Sequence, residues 1–436
     1  MKRGKKILLA VGCAVLLLLS WAAALTAQSD SEKQAELIQR SEEYLADEIY
    51  IRTVPLLEEA AGYHGKYTQQ AEELLKTVYQ KLFDQSGYRT KYTDLLERQM
   101  SRKDPEPQVF AEAAEYYFDL SKDKEALAIL RDGIEKTGDG ELQALYEEKR
   151  YSFRLERATY QEVTTAANGA IQVKRNGYWG LAEANGELRI PCEYEKVSTY
   201  SGDRVIVCRD GVITAVDLQN NRLAKLHEEA ADFGNYAEDR VPLLLADGWH
   251  RANGEFTIGA SSFEAIGMYA GGYAAAQQDG KWGVIDLNND WLVPPEYDEI
   301  LQDELGRCYG QGAVFGRKGE EVFLLVDGEP VGESYQDACP FLDGYAAVKR
   351  NGLWGFIDPQ GNIQIDFQFQ DAKSFGQHLA AVRDGDFWGY ISLTGDLVIQ
   401  PEFLEAKNFS NGSAPVKTAD GWRFITLLEY EKGSSL

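Results

Sequence analysis

Residues 351–361 read Asn351-Gly352-Leu353-Trp354-Gly355-Phe356-Ile357-Asp358-Pro359-Gln360-Gly361. Asn-Gly between apolar runs supplies the two consecutive positive φ angles of a tight hairpin turn. Phe356-Ile357-Asp358 continues as an alternating strand, which Pro359-Gln360-Gly361 then ends with a second turn. The stretch therefore specifies strand, turn, strand, turn, and it decides the fold because it recurs.

Trp-Gly stands at Trp179-Gly180, Trp282-Gly283, Trp354-Gly355 and Trp388-Gly389, the last two 34 residues apart. The 72 residues from Trp282 to Trp354 hold one degenerate copy near Val322; Ile213 fills the tryptophan slot after Asp210-Gly211, and Trp249 and Trp422 mark worn copies. Eight phases of about 35 residues result. Six residues before the slot lies a small or aliphatic residue, as in Val173, Val207, Ala276, Val348, Val382 and Val416. Fifteen residues after it, in the better copies, comes an aromatic: Tyr194, Tyr297, Phe369, Phe403. That aromatic opens a small pattern of aromatic, any residue, acidic or polar, aliphatic, seen in Tyr297-Asp298-Glu299-Ile300, Tyr335-Gln336-Asp337-Ala338 and Phe369-Gln370-Asp371-Ala372. A further aromatic often follows, as at Phe341, Phe375 and Phe409.

On these residues the region from about Val163 to the C-terminus resembles the WG-repeat family of bacterial proteins. The resemblance implies a β-rich repeat array, in exported or surface proteins, often joined to helical repeats; it implies no catalytic residues. A unit of this length cannot bury its apolar face alone, so neighbours must stack. The recurring tryptophan is expected to fill the space between units, and the following glycine to admit a backbone or ring where a Cβ would clash. Three clear strands per unit and a spacing of 32 to 40 residues favour an open β-hairpin solenoid; a closed propeller is the alternative.

The rest of the chain has a different period. Lys2, Arg3, Lys5 and Lys6 precede an uncharged apolar run from Ile7 to Ala27. A basic start before 21 apolar residues predicts a membrane-targeting helix over 1–28, either a retained signal anchor, which is preferred, or a cleaved signal peptide. Over 29–160 the pattern is helical: Ala71, Leu74, Leu75, Val78, Tyr79, Leu82 and Phe83 recur at three and four. Pro107 to Gly140 resembles one tetratricopeptide repeat through Ala114, Tyr117, Ala126, Leu130 and Gly133, with Phe110 in place of the usual Trp and Gly138 in place of Pro. The fold class is therefore multi-domain: helical hairpins followed by an all-β array over 163–436.

Composition and motifs narrow the function. Asp plus Glu number 70 against 45 Lys plus Arg, so a phosphate-binding basic face is lacking and nucleic acid is excluded as a partner. Cys192, Cys208, Cys308 and Cys339 form no Cys-x-x-Cys pair; one or two disulfides remain open, as does the reading that all four are buried thiols. Cys13 lies inside the apolar run. His64, His227, His250 and His378 fall in no metal-binding arrangement, and His227 occupies the aromatic slot of a worn repeat. Glu193, Glu296 and Glu402 offer carboxylates for glycoside hydrolysis, yet share one repeat slot, which points to a periodic turn or surface role. Asp286-x-Asn288-x-Asp290 opens like a calcium loop, but Trp291 stands where glycine is needed, so a polar turn is expected. No catalytic, cofactor or metal residue is assigned. The chain reads as a non-enzymatic exported scaffold that binds an unknown protein or peptide, with a cell-envelope glycan module as the alternative and a carboxylate hydrolase as a remote one. Trp179, Trp249, Trp282, Trp354, Trp388 and Trp422, with Gly180, Gly283, Gly355 and Gly389, are structural signatures.

Export makes a direct prediction. Protease added to intact cells should degrade the β-array, and protection of the array until the membrane is broken would overturn it.

Overall fold

A computed structural model describes residues 28–226 and 229–429. The apolar run with Cys13, and His227, lie outside the described residues. The chain forms two compact units, Met1–Glu147 and Glu148–Leu436.

The first unit is helical. One helix covers 28–46, and Tyr50–Gly62, Thr68–Lys81, Tyr88–Met100, Pro107–Asp119 and Asp123–Thr137 follow. Among the described residues no helix is long and apolar enough to cross a membrane. The face read from the sequence is the packed one: Ala71, Leu75, Val78, Tyr79 and Leu82 are buried, with Leu74 and Phe83 partly so. Pro107 starts its helix at a position where the missing N–H costs nothing. Gly133 lets the helix Asp123–Thr137 cross closely over Phe110, whose side chain a Cβ there would meet at 2.7 Å. Gly138 ends that helix in the left-handed region, at φ 65°.

In the second unit every repeat is a four-stranded antiparallel sheet, and the described residues form eight of them. Blade 7 shows the plan: Asp371–Ala372, Leu379–Asp384, Phe387–Ser392 and Leu397–Phe403, hydrogen-bonded in that order. The last sheet is completed differently. Glu405–Ala406, Ser413–Thr418 and Gly421–Leu427 come from the C-terminal repeat, but the fourth strand is Phe153–Leu155 from the start of the unit. Phe153, Arg154 and Leu155 pair with Leu427, Thr426 and Ile425. Beyond that strand, Tyr160 and Trp422 exchange backbone hydrogen bonds of 2.9 and 3.0 Å, and Arg423 donates to the Glu156 carbonyl at 2.7 Å. Tyr160, Val163 and Ile171 of the first repeat share a core with Trp422 and Phe424 of the last. Blade 8 therefore abuts blade 1, and the array is a closed eight-bladed β-propeller.

This corrects the solenoid expectation. The missing fourth strand is only two residues long, hidden in the aromatic-x-acidic-aliphatic pattern, too short to leave a period-two signal. The closing strand lies more than 250 residues from the sheet it joins, so no local pattern announces it.

The fixed offsets have simple causes. The aromatic fifteen residues after the tryptophan is its cross-strand neighbour: Trp179 faces Tyr194, Trp354 faces Phe369 and Trp388 faces Phe403. Immediately past each of these pairs the register shifts. The glycine after the tryptophan makes room for that shift, since a Cβ on Gly355 would sit 2.7 Å from the Ile365 carbonyl oxygen and one on Gly180 2.5 Å from that of Ile190. The later aromatic crosses to the preceding blade: Phe375 packs on Phe356 with ring centroids 4.9 Å apart and Phe409 on Tyr390 at 4.7 Å. At the hairpin tips, Asn351 and Gly352 have φ 52° and 82°. The unspecified residue after the aromatic caps several tips, Gln336 accepting from Gly352 N–H at 2.7 Å and Gln161 from Gly177 N–H at 2.9 Å.

Trp354 is buried within the cluster that joins blades 6 and 7. Replacing it with Ala should cost about 3–5 kcal/mol. In a ring each blade has two neighbours and no free end, so amide protection should fall both at Gly344 to Phe375 and at the distant Tyr178 to Pro191. Loss confined to the first segment would contradict a closed cooperative ring.

Candidate functional site

One blade departs from the plan. Six residues separate Ala372 from Leu379 in blade 7, but twelve separate Ile300 from Ala313 in blade 5. Leu301 N–H donates to Phe315 at 2.8 Å just as Lys373 N–H donates to Ala381 at 2.9 Å, and Gly310 pairs with Ala313 as Gly376 does with Leu379. The excess is thus Gln302–Arg307. This insertion is closed on itself. Asp303 N–H donates to Arg307 O and Gly306 N–H to Asp303 O, each at 2.9 Å. The Asp303 carboxylate accepts from Leu305 and Arg307 N–H at 2.9 Å, and pairs with the Arg307 guanidinium at 2.6 Å.

The insertion ties together blades far apart in the ring. Glu304 accepts from Thr165 N–H of blade 1 and pairs with Lys407 of blade 8 at 2.5 Å. Leu305 O accepts from the Asn235 amide of blade 3 at 2.8 Å, and Gly306 O from Met268 N–H of blade 4 at 2.8 Å. The Leu305 side chain joins Ala167, Ala237 and Met268 in a small buried cluster. Blade 5 stands opposite blade 1 in an eight-membered ring, so a loop that reaches between them crosses the centre. Gly267 is required at the crossing: a Cβ there would lie 2.6 Å from the Gly306 carbonyl oxygen.

Two cavities flank the insertion. One, of about 700 Å³, is lined from blades 1 to 5, including Gln172, Trp179, Lys196, Asn235, Met268 and Glu304. The other, of about 190 Å³, is lined by Thr165, the insertion, and blades 6 to 8 through Cys339, Lys373, Ser374, Lys407 and Asn408. Burial pushes the Cys339 thiol up to about 12, so it is neutral there. Cys192, Cys208, Cys308 and Cys339 are all free thiols.

A second feature lies at the hairpin tips. The residue before the tryptophan slot is Tyr178, Val212, Gly248, Lys281, Glu321, Leu353, Phe387 and Gly421 in blades 1 to 8. Tyr178 is 50% exposed, Val212 44%, Leu353 39% and Phe387 43%. In blade 8 the apolar residue beside the tip is Leu404, 50% exposed, whose N–H donates to Lys417 O at 2.9 Å. Because the ring closes, blades 6, 7, 8, 1 and 2 are consecutive. Apolar tip residues thus fall on blades 6, 7, 1 and 2, which form one arc through blade 8, where the tip itself is Gly421 and Leu404 stands beside it; the tips of blades 3 to 5 carry glycine or charge.

The residues singled out in the sequence lie elsewhere. Trp354, Trp388 and Trp422 are buried and Trp179, Trp249 and Trp282 half-buried, several beneath a lysine such as Lys349, 5.9 Å above the Trp354 ring. Glu193, Glu296 and Glu402 sit on the fourth strands of blades 1, 4 and 7, no two of them neighbours. Glu193 pairs with Arg209 at 3.3 Å and Glu296 with Lys318 at 2.9 Å. Asp286 closes a turn, its carboxylate accepting from Asn288 and Asp290 N–H at 2.7 and 2.9 Å; no group of side chains suited to a metal ion occurs among the described residues. The insertion escaped the sequence reading, although its signal was there: 40 residues separate Trp282 from Val322 where 34 separate Trp354 from Trp388.

Family models find the WG containing repeat at residues 179–212, 253–282, 282–302, 334–354, 354–386 and 388–422. No curated protein matches the chain. Among solved structures, Hsv2p of Kluyveromyces lactis aligns at 8% identity and TM-score 0.36, over 53% of this chain and 92% of that one. The WD40 domain of SCAP from fission yeast aligns at 9% identity and TM-score 0.35, over 64% and 98%. PorZ of Porphyromonas gingivalis, described as a bacterial surface component of the type-IX secretion system, aligns at 12% identity and TM-score 0.35, over 60% of this chain and 42% of that one.

Proposed function

This chain is a WG-containing repeat protein across residues 179–422, and from that premise we propose that it is an extracytoplasmic scaffold whose propeller binds another protein through the apolar arc of hairpin tips. The observation that carries the reading is the arc itself. Single exposed apolar side chains are ordinary on any surface, but here the same tip slot is filled by Tyr178, Val212, Leu353 and Phe387, with Leu404 beside the tip of blade 8, each of the four tip residues facing a charged residue across its hairpin, Arg175, Arg209, Arg350 and Asp384. Rigid β-blades present it without an ordering cost, and Tyr and Phe are favoured interface anchors. The glycan alternative has less support: Tyr194, Tyr297, Tyr335 and Phe403, the repeated rings a sugar would stack on, are buried. A non-enzymatic role is part of the same reading, and the dispersal of Glu193, Glu296 and Glu402 over blades 1, 4 and 7 supports it. Localisation outside the cytoplasm, with residues 7–27 as anchor or cleaved signal, rests on the basic start and apolar run.

The test substitutes Tyr178, Leu353 and Phe387 together by Asp. The full chain, cross-linked in cells, should yield a discrete protein adduct that this variant loses by about tenfold or more, while its thermal midpoint stays within a few degrees of the parent. An adduct formed equally by both proteins would contradict the arc as the binding face.

A further inference from the structure

The smaller central cavity has an unbalanced charge. Five charged side chains line it: Asp303, Glu304, Arg307, Lys373 and Lys407. Two pairs cancel, Asp303 with Arg307 at 2.6 Å and Glu304 with Lys407 at 2.5 Å. Lys373 is left over, with no carboxylate in salt-bridge range among the described residues. The ammonium lies 5.6 Å above the Trp388 ring, which attracts a cation without neutralising it. The charged side chains that line this cavity therefore sum to one positive charge.

We propose that this cavity is a binding site for a single carboxylate, held by the Lys373 ammonium and the Asn408 amide. The Asn408 side chain makes no hydrogen bond to the protein among the described residues, so its N–H groups are free to donate. Ser374 Oγ donates to Pro340 O at 2.6 Å and is already committed. Ala338, Pro340 and Leu342 supply an apolar wall for the carbon chain that carries the anion. At about 190 Å³ the space equals about six water volumes, enough for one acidic side chain or a short fatty acid. The preference is for a monoanion, because the lining carries one positive charge that its own ion pairs do not balance. The site exists only because the Gln302–Arg307 insertion divides the centre of the ring, and it does not depend on the apolar arc.

Titration calorimetry of the full chain tests this with three probes: butyrate, a capped pentapeptide bearing one central Glu, and inorganic phosphate. Butyrate or the peptide should bind saturably, Lys373→Met should weaken that binding at least about tenfold, and Lys373→Arg and the control Lys349→Met should bind nearly as the parent does. Equal binding of both carboxylates identifies a free acid as the natural source, and binding of the peptide alone identifies an acidic protein segment. Failure of both probes to bind, parental affinity in Lys373→Met, or phosphate binding more tightly than butyrate would overturn the proposal. If Lys373→Met loses its cooperative unfolding transition, Asn408→Ala replaces it, and undiminished affinity there is equally contradictory.

Discussion

The propeller depends on the pairing of Phe153–Leu155 with the strand that ends at Leu427. Eight repeats with only nearest-neighbour cores would otherwise have two open faces, each exposing the tryptophan or aromatic meant for the next unit. The exchange of one strand between the two ends of the unit closes the last sheet and brings blade 8 against blade 1. Everything described at the centre and at the tips follows from that. Without closure the insertion from blade 5 has no blade 1 or blade 8 to reach, and the apolar tips of blades 6 and 7 are separated from those of blades 1 and 2 by the whole array.

Within each blade the Trp-Gly pair is one device. The tryptophan stacks across the strand pair and into the neighbouring blade, and the glycine absorbs the register shift that the opposing strand makes just beyond it. Trp354 with Gly355, and Trp388 with Gly389, show both halves. Blades that have lost the tryptophan keep an aliphatic residue in the same place, Val322 opposite Tyr335 for example. What these two blades, holding Ile213 and Val322, keep at that point is an apolar side chain, at much less than the volume of the indole.

Local chemistry made the repeated part legible. Asn351-Gly352 read as a turn because only a few residue types tolerate two successive positive φ angles, and the offset from Trp354 to Phe369 was visible because a hairpin register is a fixed count. Two features lacked such a signal. The strand Asp371–Ala372 is shorter than any period, and Phe153–Leu155 joins a sheet whose other members are remote in sequence. The central loop illustrates a third case: six extra residues before Ala313 could be counted, but their destination across the ring is a property of the closed structure alone. Lys373 likewise carries no sequence mark, since its isolation results from two ion pairs assembled from blades 5 and 8.

Closure of the ring is tested most directly at its seam. Hydrogen exchange would be followed in the full chain carrying Phe153→Asp and Leu155→Asp together, at Ser413–Thr418 of blade 8 and Ala170–Arg175 of blade 1. A closed propeller held by this strand predicts that protection collapses in both segments together, because each loses the neighbour the seam provides. Retention of parental protection in either segment would contradict the account.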